Sequence, residues 1–387
     1  MSIYDYIIAG SGASGLALAY HMASSELRGR SILVVDREVK DQNDRTWSFW
    51  TDRPTRIDHL VYRRWDRIEV ISETFQRTFD LAPYQYQMVR GIDYYNGMRE
   101  ALSTVPGVTF QQGRVTEIKD TKDKSGAEVV IDKVPHGARY AFDSTFKPSD
   151  YFKGPGRYHY LKQHFKGWEI ETPTDCFDPQ TVTMFDFRTP QKGTMRFFYI
   201  LPFSPRQALV EYTLFSHDLL KPHEYDRAIS EYLENVRGIT KYRTSSVETG
   251  IIPMTDRPLP RMLGERVMAI GTKGGLVKPS TGYAFLRMQN DAAAITHSLV
   301  NYGDPNHIPV SPRRYRLFDT LMLQVMYRQG SLMKGIFTQL FRKNSIQNIF
   351  RFLDETASPA ENLRLIASLP SPPFLKALFR VKLLRKV

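Results

Sequence analysis

Residues 3 to 36 read "IYDYIIAGSGASGLALAYHMASSELRGRSILVVD": an apolar strand, a glycine-rich turn, a helix and a second apolar strand. This order constrains the chain more than any other feature, because parallel strands need a crossover helix and a sheet built from them must be covered on both faces. Gly10, Gly12 and Gly15 form a G-x-G-x-x-G pattern at the turn. The first glycine suits a tight turn, the second lets backbone approach a pyrophosphate, and the third lets the helix pack on the strand. Ser14 lies within the same turn. Asp36 ends the second strand, 21 residues after Gly15, where an acid accepts hydrogen bonds from a ribose hydroxyl pair, and Arg37 follows it. A Rossmann-like dinucleotide-binding domain is expected here.

At 387 residues the chain has room for two domains, or for one large domain carrying an inserted sheet. "DRIEVIS" and "FQRTFDL" read as strands of a small sheet over the nucleotide. "QMVRGIDYYNGMREAL" reads as a strand entering a helix, with Arg90 at the junction either reaching a cofactor phosphate or ring edge or simply starting the helix in solvent. Residues 108–146 suggest a surface meander. From "YHYLKQHFKGWEIE" to residue 216 the pattern is strand after strand, with a hairpin turn at "PFSPRQ", and a helix follows near 222–236. "RVMAIGTKGGLVKPSTGYAFLRMQNDAAAITHSLV" then returns as a strand, a second glycine-rich loop and a helix, so that Gly271, Pro279 and Gly282 shape a loop aimed above the first sheet. The expected organisation is α/β: a nucleotide-binding domain from 1–60, 85–158 and 248–302, an inserted antiparallel sheet from 61–84 and 159–247, and a helical region over 303–387.

The formal charge is 53 − 41 = +12, and the last twelve residues, "KALFRVKLLRKV", carry five Lys or Arg and no acid. An anionic neighbour follows from this. No Cys/His finger or RNA-binding signature is present, so nucleic acid is not expected and a lipid surface is favoured. The lone Cys176 excludes an intrachain disulfide and fits a reducing compartment. No cleavable leader is read at the N-terminus, and no apolar run reaches the ~18 residues of a spanning helix. His159 and His164 are five apart, which points them to opposite faces of a strand. No metal-binding spacing and no serine-hydrolase elbow occurs, so a catalytic metal is not expected.

One carboxylate stands out. In "QALVEYTLFS", residues 207–216, strand alternation puts Leu209, Glu211, Thr213 and Phe215 on one face. An ionised carboxylate in such a run is costly, so Glu211 is either paired with a buried cation such as Arg196 or Arg206, exposed at an edge, or kept protonated for chemistry.

Taken together, the glycine-rich βαβ unit, the inserted antiparallel sheet and the returning Gly/Pro loop resemble the FAD-containing hydroxylase-like fold, which many activities share. That fold's usual last loop has a Gly-Asp pair, whereas this chain reads "IGTKGG", with Thr272 after Gly271. "NDRTWSFW", "VEYTLFS", "IIPMTDRPLP" and "GTKGGLVKPSTGYAF" occur in the order found in lycopene β-cyclases, and over residues 3 to about 300 the chain resembles the bacterial form of that family.

The resemblance implies an FAD-dependent enzyme that cyclises lycopene, through monocyclic carotenoid intermediates, without net redox change. It implies FAD active in its reduced form, reduced by NAD(P)H or another donor. It also implies Glu211 as the general acid, because apolar burial raises a carboxyl pKa and keeps the proton available. Asp256, in "PMTDRP", is either a second site carboxylate or a turn cap, and Tyr283 either lines the site or packs in the core. Such an enzyme would sit peripherally on the cytoplasmic side of a membrane. "FLKALFRVKLLRKV" and "GIFTQLF" are the candidate contacts, unless they are ordinary amphipathic helices packed on the body. A flavin-dependent isoprenoid oxidoreductase, either a hydroxylase or a saturase, is the alternative. A non-catalytic carotenoid carrier is a third reading.

Overall fold

The computed structural model describes residues 3–147, 149 and 157–384, so the last three residues of the basic C-terminal run, 385–387, lie outside the described residues. The chain opens with β1 (Ile3–Ala9), α1 (Ala13–Ala23) and β2 (Ile32–Asp36). Ile7, Ile8, Ala9, Val34 and Val35 are at most 1% exposed, the two-sided burial that a parallel sheet requires. Next come β3 (Thr46–Thr51), β4 (Arg63–Trp65), β5 (Arg67–Ser72), β6 (Phe75–Asp80), β7 (Gln85–Arg90) and α2 (Gly91–Ser103). The strands β8 (Val108–Gln112), β9 (Val115–Asp120), β10 (Ala127–Ile131) and β11 (Val134–Asp143) follow.

The middle of the chain supplies β12 (Tyr160–Glu171), β13 (Thr181–Asp186), β14 (Met195–Ser204), β15 (Gln207–Ser216), α3 (Pro222–Asn235) and β16 (Arg243–Thr255). It closes with β17 (Val267–Ala269), α4 (Phe285–Tyr302), α5 (Arg313–Gln329), α6 (Met333–Lys343), α7 (Ile346–Leu353), α8 (Pro359–Ala367) and α9 (Ser371–Leu384).

Three sheets result. The first runs β8-β2-β1-β11-β10-β9, with β17 also on β11; β8, β2, β1, β11 and β17 are parallel, and β9 to β11 form an antiparallel meander. One of its faces packs under α1, α2 and α4. The second sheet runs β16-β12-β15-β14-β13-β5-β6 and is antiparallel except between β13 and β5. A small third sheet, β3-β7-β4, lies between them in the chain.

One boundary differs from the sequence reading. The division at residue 248 falls inside β16, which pairs with β12 as far as Thr255 and so belongs to the second sheet along its whole length. The hairpin β5–β6 joins the second sheet, in keeping with the expected assignment of 61–84 to the inserted sheet and not with a separate small sheet over the nucleotide, because β5 finds β13 as a parallel partner. The small sheet is made instead by β3, β7 and β4.

The second sheet is covered on both sides, which explains why nine consecutive residues of β15, Ala208–Ser216, are buried. On one side Phe198, Val210 and Tyr212 pack against Tyr225, Ile229 and Tyr232 of α3, with Phe198 stacked on Tyr232 at 3.7 Å. On the other side α5 to α9 form a roof over Leu209, Phe215 and Phe197.

Candidate active site

Between that roof and the second sheet lies a cavity of about 490 Å³, whose walls are largely aromatic and aliphatic. β15 turns Leu209, Glu211, Thr213 and Phe215 into it. Glu211 is 8% exposed. Neither candidate arginine reaches it: Arg196 donates to Thr194 Oγ1 at 2.9 Å and to the Tyr212 hydroxyl at 3.3 Å, while Arg206 pairs with Asp175 at the surface at 2.6 Å.

What does meet Glu211 is a second carboxyl. β12 lies between β15 and β16, and its Gly167 stands opposite both Glu211 and Glu248. A Cβ added at Gly167 would fall 3.2 Å from Glu248 Cγ and 3.5 Å from Glu211 Cβ. The missing side chain therefore leaves a space that the carboxyls of two non-adjacent strands share, close enough for each to act on the other's proton affinity. Thr213 donates to Glu211 Oε1 at 2.5 Å, and Thr46 of β3 donates to Glu248 Oε2 at 2.6 Å.

Burial pushes the Glu211 carboxyl well above the usual carboxylate range, and the Glu248 charge beside it pushes the same way. Burial also raises Glu248, but the hydrogen bond from Thr46 and the charge of Arg45 hold it down. Both carboxyls are thus raised, Glu211 the more strongly, and the pair titrates as one unit.

Beside the carboxyls, the Tyr86 hydroxyl meets those of Tyr199 and Tyr283 at 2.8 and 3.0 Å. Tyr199 pairs with Glu211 across β14 and β15. Burial pushes all three phenols up, so they stay neutral. Trp50 packs edge-on against Tyr283 at 4.7 Å and stacks on Phe350 of α7 at 4.5 Å, which ties the cavity wall to the roof.

The return loop borders the same cavity through Thr272, Thr281 and Gly282. Gly282 has φ +75°, and a Cβ there would fall 1.9 Å from Gln163 Oε1, so only glycine fits. Next to Pro279, the Lys278 ammonium is 4% exposed and pairs with Asp319 of α5 at 3.3 Å and Glu355 at 2.9 Å. Ser280 donates to Asp319 at 2.5 Å, and Arg287 pairs with Glu355 at 3.1 Å. The loop is thereby fastened to the helical roof.

The glycine-rich turn has the shape a dinucleotide requires. A Cβ on Gly10 would fall 2.1 Å from Ser144 Oγ and one on Gly15 1.9 Å from the Gly10 carbonyl oxygen, whereas Gly12 has nothing within 4 Å of that position. The N-terminus of α1 has no side-chain cap. Asp36 accepts from the Ser11 N–H at 2.7 Å, which brings the acid to the turn, and Gly271 passes close to Ser14. Gly10, Gly12, Ser14, Gly15, Asp36 and Gly271 thus form one cradle fit for a pyrophosphate and ribose.

Other candidates lie elsewhere. Arg37 is exposed and pairs with Glu38 at 2.9 Å. Arg90 is held by Asp93 at 2.6 Å and lies 4.0 Å over the Tyr62 ring, which accounts for it without a phosphate. Asp256 is not the second carboxylate of the cavity. It follows the end of β16, where it accepts from the His159 N–H at 2.7 Å and meets Nδ1 of the same residue at 2.8 Å, and Glu248 takes the cavity position instead. Glu248, Gly167, Thr46, Tyr86 and Tyr199 escaped the sequence reading. The available signal was Gly167, a glycine inside an otherwise continuous strand, which marks a close approach.

The sequence model of a family described as "Lycopene cyclase protein" matches residues 5–379. A chloroplastic lycopene beta cyclase of Arabidopsis thaliana is 26% identical over 320 residues, which cover 79% of this chain and 62% of that protein. The chain therefore spans less than two thirds of that plant relative's length. A lycopene beta-cyclase of Pantoea ananas is 27% identical over 300 residues, covering 73% of this chain and 71% of its own. Among solved structures, a flavin-dependent brominase aligns with a TM-score of 0.63 at 15% identity, covering 92% of this chain and 94% of its own, a likeness of fold alone.

Proposed function

Since the chain belongs to the lycopene cyclase family, we propose that it closes the acyclic ends of lycopene into β-rings, an isomerisation that yields β-carotene. The observation that carries this reading is Glu211, a buried carboxyl with no cationic partner among the described residues, which faces an apolar cavity. Protonating an alkene needs an acid held against dry hydrocarbon, and burial keeps the Glu211 proton in place near neutral pH. Glu211 gives that proton to the terminal double bond. The chain end then closes through a carbocation, and a ring carbon loses a proton. The aromatic wall and the neutral tyrosines exclude water, which would otherwise quench the cation.

The cofactor of this reading is FAD, held at Gly10, Gly12, Ser14, Gly15 and Asp36 and bordered by the loop from Gly271 to Gly282. When bound and reduced, by NAD(P)H or another donor, it would supply an electron-rich ring able to stabilise positive charge. No helix among the described residues is long and apolar enough to cross a membrane. The substrate resides in one, so the protein would work peripherally, on the cytoplasmic face. α9 supports this, because Leu375 and Phe379 are 63% and 66% exposed beside the exposed Lys376, Arg380 and Lys382. "GIFTQLF" gives it no support: it lies in α6, within the roof, and its Ile336, Phe337, Leu340 and Phe341 are buried against the body.

The test is the pigment made by a lycopene-accumulating host that expresses this chain, beside Glu211→Gln. The expected product has the mass of lycopene and the spectrum of β-carotene, and it is absent from the variant. A mass changed by oxygen or hydrogen would make the protein an isoprenoid oxidoreductase, and lycopene left unchanged would favour a carrier.

A further inference from the structure

Cyclisation adds one proton and removes another, and the two carbons concerned are both bonded to the carbon that closes the ring. An acid alone therefore accounts for half of the proton traffic. We infer that Glu211 and Glu248, joined across Gly167, act as a single proton-sharing unit in which Glu248 takes up the proton that the ring carbon loses and returns it to Glu211. This extends the reading of Glu211 as the general acid and rests on it.

The geometry carries the assignment. Both residues line the cavity, and the register of β15, β12 and β16 fixes them opposite the same glycine. Each has its own threonine donor, Thr213 for Glu211 and Thr46 for Glu248, which engages one oxygen of each carboxyl. Other polar groups around the pair are not placed to serve as the base. Arg45 is a cation, and it favours the ionised form of Glu248. Glu169 opposes that effect, but its carboxylate accepts from Gln207 at 2.7 Å and from Ser246 at 3.1 Å. Tyr86, Tyr199 and Tyr283 are neutral phenols bonded to one another.

The proton balance closes over three steps. The Glu211 O–H bond breaks as the terminal alkene's π electrons form a C–H bond, leaving two carboxylates and a carbocation. The π electrons of a second alkene then form the ring C–C bond and move the positive charge to that alkene's other carbon. The ring carbon's C–H bond then breaks, its electrons form the ring double bond, and the proton goes to Glu248. Transfer from Glu248 to Glu211 restores the starting state, and no electron is gained or lost.

The unit predicts a bell-shaped pH profile. Activity falls at low pH when Glu248 is protonated and cannot accept, and at high pH when Glu211 loses its proton. The experiment is the pH dependence of β-ring formation by the flavin-loaded protein with lycopene in detergent micelles. It compares wild type, Glu211→Gln, Glu248→Gln, Glu248→Asp and Thr46→Val. An infrared titration of the protonated carboxyl carbonyl band, free of any turnover, accompanies it.

Glu248→Gln should lower the rate by about 100-fold or more. It should also abolish the acid limb and move the alkaline limb, with the infrared titration, to lower pH, because the like charge that raises Glu211 is gone. Glu248→Asp should restore the bell at a reduced rate. Thr46→Val, which leaves both carboxyls in place, should move the acid limb to higher pH. An unmoved pH profile in Glu248→Gln, or in Thr46→Val should the former fail to fold, overturns the shared unit while leaving the general acid intact. Full activity in Glu211→Gln overturns the general acid itself.

Discussion

Gly167→Ala is the smallest change that should disturb the carboxyl pair without touching either carboxyl. The added Cβ would lie 3.0 Å from Leu209 Cδ1, 3.2 Å from Glu248 Cγ and 3.5 Å from Glu211 Cβ, so the first two neighbours must give way by a few tenths of an ångström. Gly167 is not among the glycines with positive φ, so alanine fits its backbone and should recover about 0.4–1 kcal/mol from the unfolded chain. Overpacking in a buried site costs about 1–3 kcal/mol. The net loss should be about 1 kcal/mol, a degree or two in melting temperature.

The chemistry is less forgiving. A misplacement of about 1 Å can cost ~100-fold in rate, so a displacement of a few tenths should cost about 3- to 5-fold. Initial rates of β-ring formation, flavin content and thermal unfolding, measured on the same preparations, separate the two effects. A variant that binds flavin, melts within a few degrees of wild type and cyclises at the wild-type rate with an unchanged pH profile would refute the reasoning, because the gap at Gly167 would then serve packing alone.

Three further outcomes are expected. Lys278→Met leaves Asp319 and Glu355 without their ammonium and should destabilise the protein by about 3–5 kcal/mol; thermal unfolding measures this, and adding Asp319→Leu should recover part of it. His164, 1% exposed between Tyr225 and Ser216, is pushed by burial from 6.5 down to about 4. Between those values the unfolded chain binds a proton that the fold does not, so this group's contribution is present above pH 6.5 and is lost on acidification toward pH 4. The loss is about 3 kcal/mol and should be missing from the urea-unfolding pH profile of His164→Gln. Finally, Leu375→Glu with Phe379→Glu in α9 should abolish flotation with phosphatidylglycerol vesicles and leave the melting temperature unchanged, since both side chains are largely exposed.

The parts of this fold that were legible are those written locally. The first βαβ unit is set by an apolar strand, three glycines and a terminal acid within 34 residues, and the hairpin of β14 and β15 by its turn. Strand alternation likewise put Glu211 on one face with Leu209 and Thr213, where the cavity lies. Its companion was not legible. Glu248 lies 37 residues later, and the two meet only because a strand from earlier in the chain inserts between theirs in one register.

Asp256 drew attention as a charge within a distinctive motif, but one residue past the end of a strand is enough to turn a side chain away from the sheet face. For "GIFTQLF" the structure shows the alternative of a helix packed on the body. Apolarity predicts burial but not the burying medium, and here the protein's own sheet takes the place expected for lipid.

The cavity's floor and roof are separated in the order of synthesis. β12 to β16 precede residue 256, whereas α5 to α9 begin at Arg313. While a chain emerges from the ribosome, the nucleotide cradle and the carboxyl pair can form before anything covers Leu209, Phe215 and Phe197. For that interval an aromatic floor faces the surroundings, with the hazards of exposed apolar surface. Lys278 adds to the asymmetry, because its loop is made before Asp319 and Glu355 and so waits with an unmatched charge. Maturation of this protein is in that sense the closing of a lid from its own C-terminal side, and conditions that delay those helices should be felt first as aggregation.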